Sequence, residues 1–409
     1  MVNLLMISPY APYDSIPHAG GKSNNYYFKR ICGDNNFNVK LITFAKEEEK
    51  KYIENDNYKF DIDVEYFINS KLIKKNLRRL NNINIYNPFD KYGGFRPNFI
   101  KNSVIKRINK LKEQGYTPEV IILEWTQIVL MENIVKRVFP NAKIIAIEHD
   151  VSFLGLKRKI DYEKTNLKKI IGKLRYKNLY SAEIKALEKC DLVLTLNYKD
   201  YELLKSTKVN LNLIDYFSPY YFNLQGITPE LEGYNIVFFG AMDRIENYTS
   251  CLWFIDNVFN KLLEKNSEFK FYAVGNKPPQ VLKDRESSNI IVTGYVNNIE
   301  TYFQKSLCVV APLQLGAGIK IKILESMSAG AVVLTNNVGI EGIPVIDRVH
   351  YLHCEEPNDY INTILDITNN RYDIRKISNN AKKYITEKFN INESYNKLSS
   401  HIIKIKSNR

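Results

Sequence analysis

Short runs that are apolar on both faces recur along most of this chain, alternating with stretches whose apolar residues step by three and four. The runs are VNLLMIS (2–8), VKLITF (39–44), VIILEW (120–125), KIIAIEHD (143–150) and DLVLTLN (191–197). After residue 233 come NIVFFG (235–240), FKFYAVG (269–275), NIIVTG (289–294), LCVVAPL (307–313) and AVVLT (331–335). A strand buried on both faces needs helices above and below it, so the alternation specifies parallel sheets covered on both sides. The plainest helical stripe is Cys251, Leu252, Ile255, Val258, Phe259, Leu262 and Leu263, one face of an α-helix laid on a sheet. The pattern is weak over 46–118.

A chain of 409 residues is too long for one hydrophobic core. The segment 215–233, with Pro219, Gly226, Pro229 and Gly233, reads as a hinge. The expected fold is therefore α/β, two facing doubly wound Rossmann-like domains with a cleft between them. Residues 1–220 form the first domain and 221–389 the second. One long charged helix over about 372–405 runs back, so that 390–409 join the first domain. Ligands of such sheets bind beyond the carboxyl ends of the strands, which locates a site without naming its reaction.

Charge separates the halves. Residues 1–220 hold 37 Lys/Arg against 25 Asp/Glu, whereas 221–409 hold 21 against 20. Two basic runs carry the excess: Lys71, Lys74, Lys75, Arg78 and Arg79, then nine Lys/Arg between Lys157 and Lys177. Such a face suits water or an anionic membrane surface. No aromatic-basic repeat accompanies it, so no nucleic-acid partner is expected. No apolar run approaches the roughly 18 residues of a spanning helix, and the N-terminus lacks the basic and small-residue marks of a secretory signal. The cysteines Cys32, Cys190, Cys251, Cys308 and Cys354 are odd in number and scattered. Neither a disulfide framework nor a zinc site is expected, and a reducing cytoplasm fits.

The segment richest in chemistry is LQLGAGIKIKILESMSAGAVVLT (313–335). A loop with Gly316 and Gly318 opens into a helix from about Lys320, which Gly330 closes. A helix amino terminus offers unpaired N–H groups and about half a positive charge, and Lys320 adds a full one. This suits a diphosphate that becomes a leaving group, with Glu325 one turn on able to accept from ribose hydroxyls. The plainer alternative is a glycine loop of the kind common in α/β folds, with Lys322 and Glu325 as a surface pair three residues apart.

These residues also carry a likeness. VFFGAMDRIEN (237–247), YAVGNKP (272–278), VTGYV (292–296) and APLQLGAGIKIKILESMSAGAVVLT (311–335) resemble, in order and spacing, the donor half of family 4 glycosyltransferases of the GT-B architecture. ISPYAPYDSIPHAGGKS (7–23) resembles the family's first-strand loop and AIEHDVSFLGLKRK (146–159) its His-Asp segment. The resemblance implies transfer of a sugar from a nucleoside-diphosphate donor to a glycan, lipid-linked or protein-linked acceptor, as in bacterial surface polysaccharide or glycoconjugate synthesis. It further implies retention of configuration, no bound metal and no cofactor beyond the donor substrate. Carried over by position, Gly318, Ile319 and Lys320 would hold the diphosphate and Glu325 the ribose. Gly240 ends the first strand of that half on the donor side, Tyr295 and Val296 lie near the base, and Gly20 and Gly21 meet the phosphates from the first domain. Lys320 and His149 are the expected catalytic residues, His149 approaching the donor sugar, and Glu124 is the expected acceptor contact.

The chain departs from the family at three places. Ala317 stands where many members have a donor-sugar Glu, Ala241 where they have an Arg, and Asn247-Tyr248 where they have Lys-Gly. Lys320 is expected to replace the missing cation. These departures also support an alternative, a non-catalytic GT-B accessory subunit that binds glycan or nucleotide sugar. Asp61-Ile62-Asp63 is a D-x-D, a metal-binding pattern of another architecture, in a strand-like stretch away from these motifs. His18 stands close to the glycine pair.

Overall fold

The structure, a computed structural model, describes residues 1–55, 61–67, 90–207, 210–224, 226, 227, 230, 232–316 and 318–407. The basic run from Lys71 to Arg79, Pro229 and Ala317 lie outside the described residues. The chain divides into two compact units, Met1–Tyr220 with Ile391–Arg409, and Tyr221–Asn390.

Unit 1 is built on a seven-stranded sheet, every neighbouring pair parallel. Its strands are β1 (Val2–Ile7), β2 (Phe37–Lys46), β3 (Asp61–Phe67), β4 (Val120–Glu124), β5 (Lys143–Glu148), β6 (Leu192–Thr195) and β7 (Ile214–Tyr216), in the order β3-β2-β1-β4-β5-β6-β7. Alternate residues of each strand face opposite sides. Leu5, Ile7, Ile121, Leu123 and Ile144 pack with Val104 and Ile108 of the helix Asn98–Glu113 and with Phe153, Ile160 and Leu179. Leu4, Met6, Ile122, Ile145 and Leu194 pack on the other side with Phe28 and Ile31 of the first helix, and with Tyr395, Leu398, Ile402 and Ile405 of the last. Strand β3 and the helix Asn98–Glu113 thus fill part of the stretch where the sequence pattern is weak.

Unit 2 carries a six-stranded parallel sheet of β8 (Asn235–Phe239), β9 (Lys270–Val274), β10 (Ile290–Gly294), β11 (Cys308–Ala311), β12 (Val333–Thr335) and β13 (Leu352–His353). Its order is β10-β9-β8-β11-β12-β13. The stripe read from the sequence is buried at Cys251, Ile255, Val258, Phe259 and Leu262, although Ile255–Phe259 is a π-helical turn between the α-helices Ile245–Phe254 and Asn260–Lys265 and not part of one α-helix. Both sheets have the Rossmann order, which reverses direction between β1 and β4 and between β8 and β11. The crevice beyond the carboxyl ends of the strands at such a reversal is where these folds bind ligands.

Three local expectations need correction. The last charged segment is two helices, Ile374–Lys388 and Ile391–Ser407, parted at Phe389 and Asn390. The first packs in unit 2, where the Ser378 hydroxyl donates to the Gly330 carbonyl, and the second belongs to unit 1. The glycine pair lies inside the first helix, Ala19–Cys32, because the His18 side chain caps it by accepting the Gly21 N–H. Strand β4 stops at Glu124, since Trp125 has φ +64° and turns the chain into the short helix Trp125–Val129.

Candidate functional site

Unit 2 presents its chemistry after β8 and β11. Beyond β11 the loop passes Gly316 and Gly318, whose φ values of +124° and +67° suit glycine, which has no Cβ to clash. The helix Ile321–Ser328 follows, with Lys320 as its N-cap residue and no acid in its first turn. The Lys320 ammonium folds back to donate to the Gly318 carbonyl at 2.5 Å and lies 3.6 Å from the Glu341 carboxylate. These side chains are only 10% and 8% exposed, so Glu341 offsets much of the charge expected from Lys320.

Lys322 does not form the surface pair with Glu325 that their spacing suggests. Its ammonium turns to the end of β8, donating to Asn247 Oδ1 at 2.6 Å and sitting 4.4 Å from the centre of the Phe238 ring. Burial pushes its pKa down to about 7, with the charges of Arg244 and Lys320 adding to that and Cys251 and Glu246 opposing it. Gly240 makes room for this arrangement: a Cβ there would lie 2.9 Å from both Lys322 Nζ and Asn247 Nδ2. Glu325 is 8% exposed and accepts the Phe222 N–H at 3.4 Å. Tyr295, just past β10, is strongly exposed and Val296 partly so.

Unit 1 gathers a different set at the ends of β1, β4 and β5. His149 Nε2 and Glu124 Oε2 lie 2.7 Å apart, both side chains under 10% exposed. The Trp125 ring stacks flat on His149 with centroids 3.6 Å apart. Tyr10 meets Trp125 and His18 edge-on. Gly20 lies against the same pair, since a Cβ there would be 3.2 Å from Trp125 and 3.6 Å from His149 Nδ1. His149 Nδ1 is buried without a hydrogen bond among the described residues.

Behind this pair lies a layer of carboxyl groups. Glu148 Oε2 accepts from Thr126 Oγ1 at 2.7 Å, and Glu183 accepts the N–H groups of Ser152 and Phe153 at 2.9 and 3.0 Å. Glu183 thereby caps the helix Ser152–Tyr162, which follows the His149 turn. Burial raises the pKa of Glu148 to about 8, with the nearby charges of Asp150, Asp200 and Glu124 adding to it, and raises that of Glu183 well above the usual carboxyl range.

Gly20, Glu124 and His149 are thus brought together in unit 1, and Gly240, Gly318, Ile319, Lys320 and Glu325 stand near the strand ends of unit 2. Two expected roles change. Glu124 is 3% exposed and holds His149, so it is not an open acceptor contact. The Gly21 N–H is taken by His18, and a Cβ at Gly21 would fall 2.2 Å from Ile16 Cδ1, so packing already requires glycine there. Trp125, Glu341 and Glu183 carry no role in the sequence reading, which places Asn247 only where the family has Lys-Gly and Lys322 only in a surface pair. A lysine in an otherwise apolar first helical turn was the one available sign, at Lys322.

The D-x-D lies in the edge strand β3, where Asp61 pairs with Lys40 and Asp63 with Arg107 at 3.0 Å. Among the described residues no group of three or more His, Cys, Asp or Glu could hold a metal ion.

Solved structures share this fold over nearly the whole chain. Sucrose-phosphate synthase from Thermosynechococcus elongatus superposes with a TM-score of 0.69 at 13% identity, covering 100% of both chains. A glycosyltransferase from Rickettsia africae gives 0.65 at 15% identity, covering 100% of this chain and 99% of its own. Anabaena HepE in complex with UDP-glucose gives 0.64 at 12%, covering 99% and 100%. The fold is GT-B, two Rossmann-like domains. An uncharacterized 44.6 kDa protein in the cps region of Klebsiella pneumoniae is 20% identical over 169 residues, 39% of this chain. The chain spans 44% of the length of that curated relative. Residues 233–370, which hold the loop, the Ile321–Ser328 helix and both lysines, match the family of group 1 glycosyl transferases.

Proposed function

We propose that this chain transfers a sugar from a nucleoside-diphosphate sugar to a glycan, lipid-linked or protein-linked acceptor, with retention at the anomeric carbon and without a bound metal. One observation carries the reading. Lys320, Lys322 and the amino end of the Ile321–Ser328 helix lie at the carboxyl edge of a parallel sheet, within the residues that match group 1 glycosyl transferases. A pyrophosphoryl group fits that chemistry, and cations placed beforehand stabilise the charge that grows on it as it departs.

In the proposed step the acceptor oxygen attacks the anomeric carbon from the face the diphosphate leaves. The carbon–oxygen bond to the phosphate breaks, its electron pair stays on the phosphate oxygen, and that oxygen takes the acceptor's proton. Glu325 binds the ribose, the exposed Tyr295 ring covers the base, and His149, oriented by Glu124 and Trp125, meets the donor sugar. A place in bacterial surface polysaccharide synthesis is supported by the Klebsiella relative, whose name puts it in a cps region.

The acceptor is proposed to be reached at the inner face of an anionic membrane. On the helix Asn166–Leu187, Leu167, Ile170 and Leu174 are exposed on one side, flanked by exposed Lys164, Lys168, Lys173 and Lys177. An apolar stripe between lysines is the pattern of a helix lying on an anionic bilayer. Among the described residues no helix is long and apolar enough to cross one. The protein should float with phosphatidylglycerol vesicles at low salt and be released by high salt. Absence of flotation at low salt removes the membrane from the proposal.

The transfer itself is tested with radiolabelled nucleotide sugars in the presence of EDTA. Donor-dependent product or slow donor hydrolysis supports the reading. Nucleotide-sugar binding with no turnover toward any acceptor would make the chain the accessory subunit that Ala241 allows, and absence of binding would remove both.

A further inference from the structure

We propose that Lys322 is the cation that receives the donor's diphosphate, with Asn247 as the partner that holds its ammonium in the unliganded protein and releases it to the anion. The inference rests on the nucleotide-sugar reading and narrows it to a residue and a proton.

The two lysines of this turn are unlike. Lys320 is already matched, 3.6 Å from the enclosed Glu341 carboxylate and bonded to its own loop at Gly318. Among the described residues Lys322 has no carboxylate within ion-pair distance. Its polar partner is the neutral amide of Asn247, whose other end is fixed by donation from Nδ2 to the Ala241 carbonyl at 2.7 Å. The groups around the ammonium come from three elements. Phe238 and Gly240 belong to the end of β8, Arg244, Glu246, Asn247 and Cys251 to the following turn and helix, and Lys320 precedes it on its own helix.

Enclosure, which removes its water, is the largest influence against a charge here, and the first turn of a helix, Arg244 and Lys320 add to it, while Cys251 and Glu246 favour the charge. A lysine placed so is costly in the absence of an anion and well used in its presence. Gly240, where a Cβ would lie 2.9 Å from Lys322 Nζ, lets the ammonium sit against the strand-end backbone. An arriving diphosphate supplies the missing countercharge, so Lys322 takes up a proton as the anion binds. The burial that brings its pKa to about 7 places that uptake in the neutral range. By linkage, diphosphate affinity falls as pH rises above about 7.

Isothermal titration with inorganic pyrophosphate and with UDP, in buffers of different ionisation enthalpy, tests this on wild type, Lys322→Arg, Lys322→Met and Asn247→Asp. Wild type should take up protons in excess of those due to the probe, and Lys322→Arg, charged throughout, should lose that excess and flatten the pH slope. The probe's own titration is common to both and cancels. Lys322→Met and Asn247→Asp, which respectively remove the cation and give it a permanent carboxylate partner, should each weaken pyrophosphate binding by about 10- to 100-fold. Equal proton uptake in wild type and Lys322→Arg, or undiminished binding in Lys322→Met, overturns the inference and leaves the function standing on Lys320. If Lys322→Met fails to fold, the arginine comparison decides alone. Wild type that binds neither probe overturns the nucleotide-sugar reading itself.

Discussion

The two strand-end sites hold opposite kinds of ionisable group, each the opposite of the sequence around it. Residues 1–220 carry most of the net positive charge, yet the site in unit 1 holds the enclosed Glu124, with Glu148 and Glu183 behind it. Residues 221–409 are nearly neutral, yet the site in unit 2 is made of Lys320 and Lys322. Net charge is set by exposed side chains such as those of the 157–177 run, where each counts once and water screens it. A site is set by two or three enclosed groups whose interactions water does not weaken. Composition therefore points to where a chain meets large surfaces, and the strand ends show what each half can hold.

The sharpest way to break this contrast is to remove the cation that the loop encloses. Lys320→Ala deletes a positive charge and leaves the Glu341 carboxylate less well balanced beside the proposed diphosphate position. Transfer, read as kcat/KM for the donor, should fall by on the order of 10²-fold. Adding Glu341→Gln should recover part of the loss, because that carboxylate repels the donor once the lysine is gone. Wild-type turnover in Lys320→Ala would remove Lys320 from the mechanism.

On the unit 1 side the matching change is Glu124→Gln. Glu124 and His149 are both enclosed at 2.7 Å, so the amide weakens their hydrogen bond without leaving a void. Urea unfolding should show a loss of about 1–3 kcal/mol, and transfer should drop roughly tenfold as His149 loses its orientation. A loss of stability with unchanged kinetics would confine the pair to a structural role and leave unit 2 as the sole site.

How much of this was legible beforehand follows from what each feature depends on. The strands were legible because burial on both faces writes an apolar run directly into the sequence. The stripe from Cys251 to Leu262 was legible because it repeats at the helical period. The setting of Lys322 was not, because its partner Asn247 lies 75 residues away and the local spacing to Glu325 suggests a different pair. The run VIILEW puts Trp125 at the end of a strand, since nothing in an apolar aromatic announces φ of +64°. The glycine pair drew attention as a ligand loop, whereas Gly20 clears Trp125 and His149, and Gly21 clears Ile16. The glycines were visible, but their neighbours were set by tertiary packing.

A further property of unit 1 shows in pH. Glu148 and Glu183 hold their protons in the folded state above the range where an unfolded glutamate has released them. Between the ordinary value of 4.5 and about 8 for Glu148, the folded chain binds more protons than the unfolded one. Rising pH across that window therefore favours unfolding, by up to about 1.4 kcal/mol per pH unit for one such group. Denaturation at pH 5.5, 7 and 8.5 should show the decline, and Glu148→Gln should flatten it. An unchanged slope in that variant would mean that the enclosed carboxyl layer does not set the acid–base behaviour of unit 1.

The smallest effect is expected where the sequence pattern looked most like a metal site. Asp61 and Asp63 face Lys40 and Arg107 on the edge strand β3, and both carboxylates are largely exposed. Exposed ion pairs contribute about 0–1 kcal/mol each, so the double variant Asp61→Asn, Asp63→Asn should melt within a few degrees of wild type. It should also transfer sugar at nearly the wild-type rate, with or without EDTA. The reason is geometric: these side chains lie on the outermost strand of the sheet, two strands removed from the reversal between β1 and β4. A tenfold loss restored by added Mn²⁺ would reverse the argument, making this edge a metal site and undoing the assignment of charge stabilisation to the lysines of unit 2.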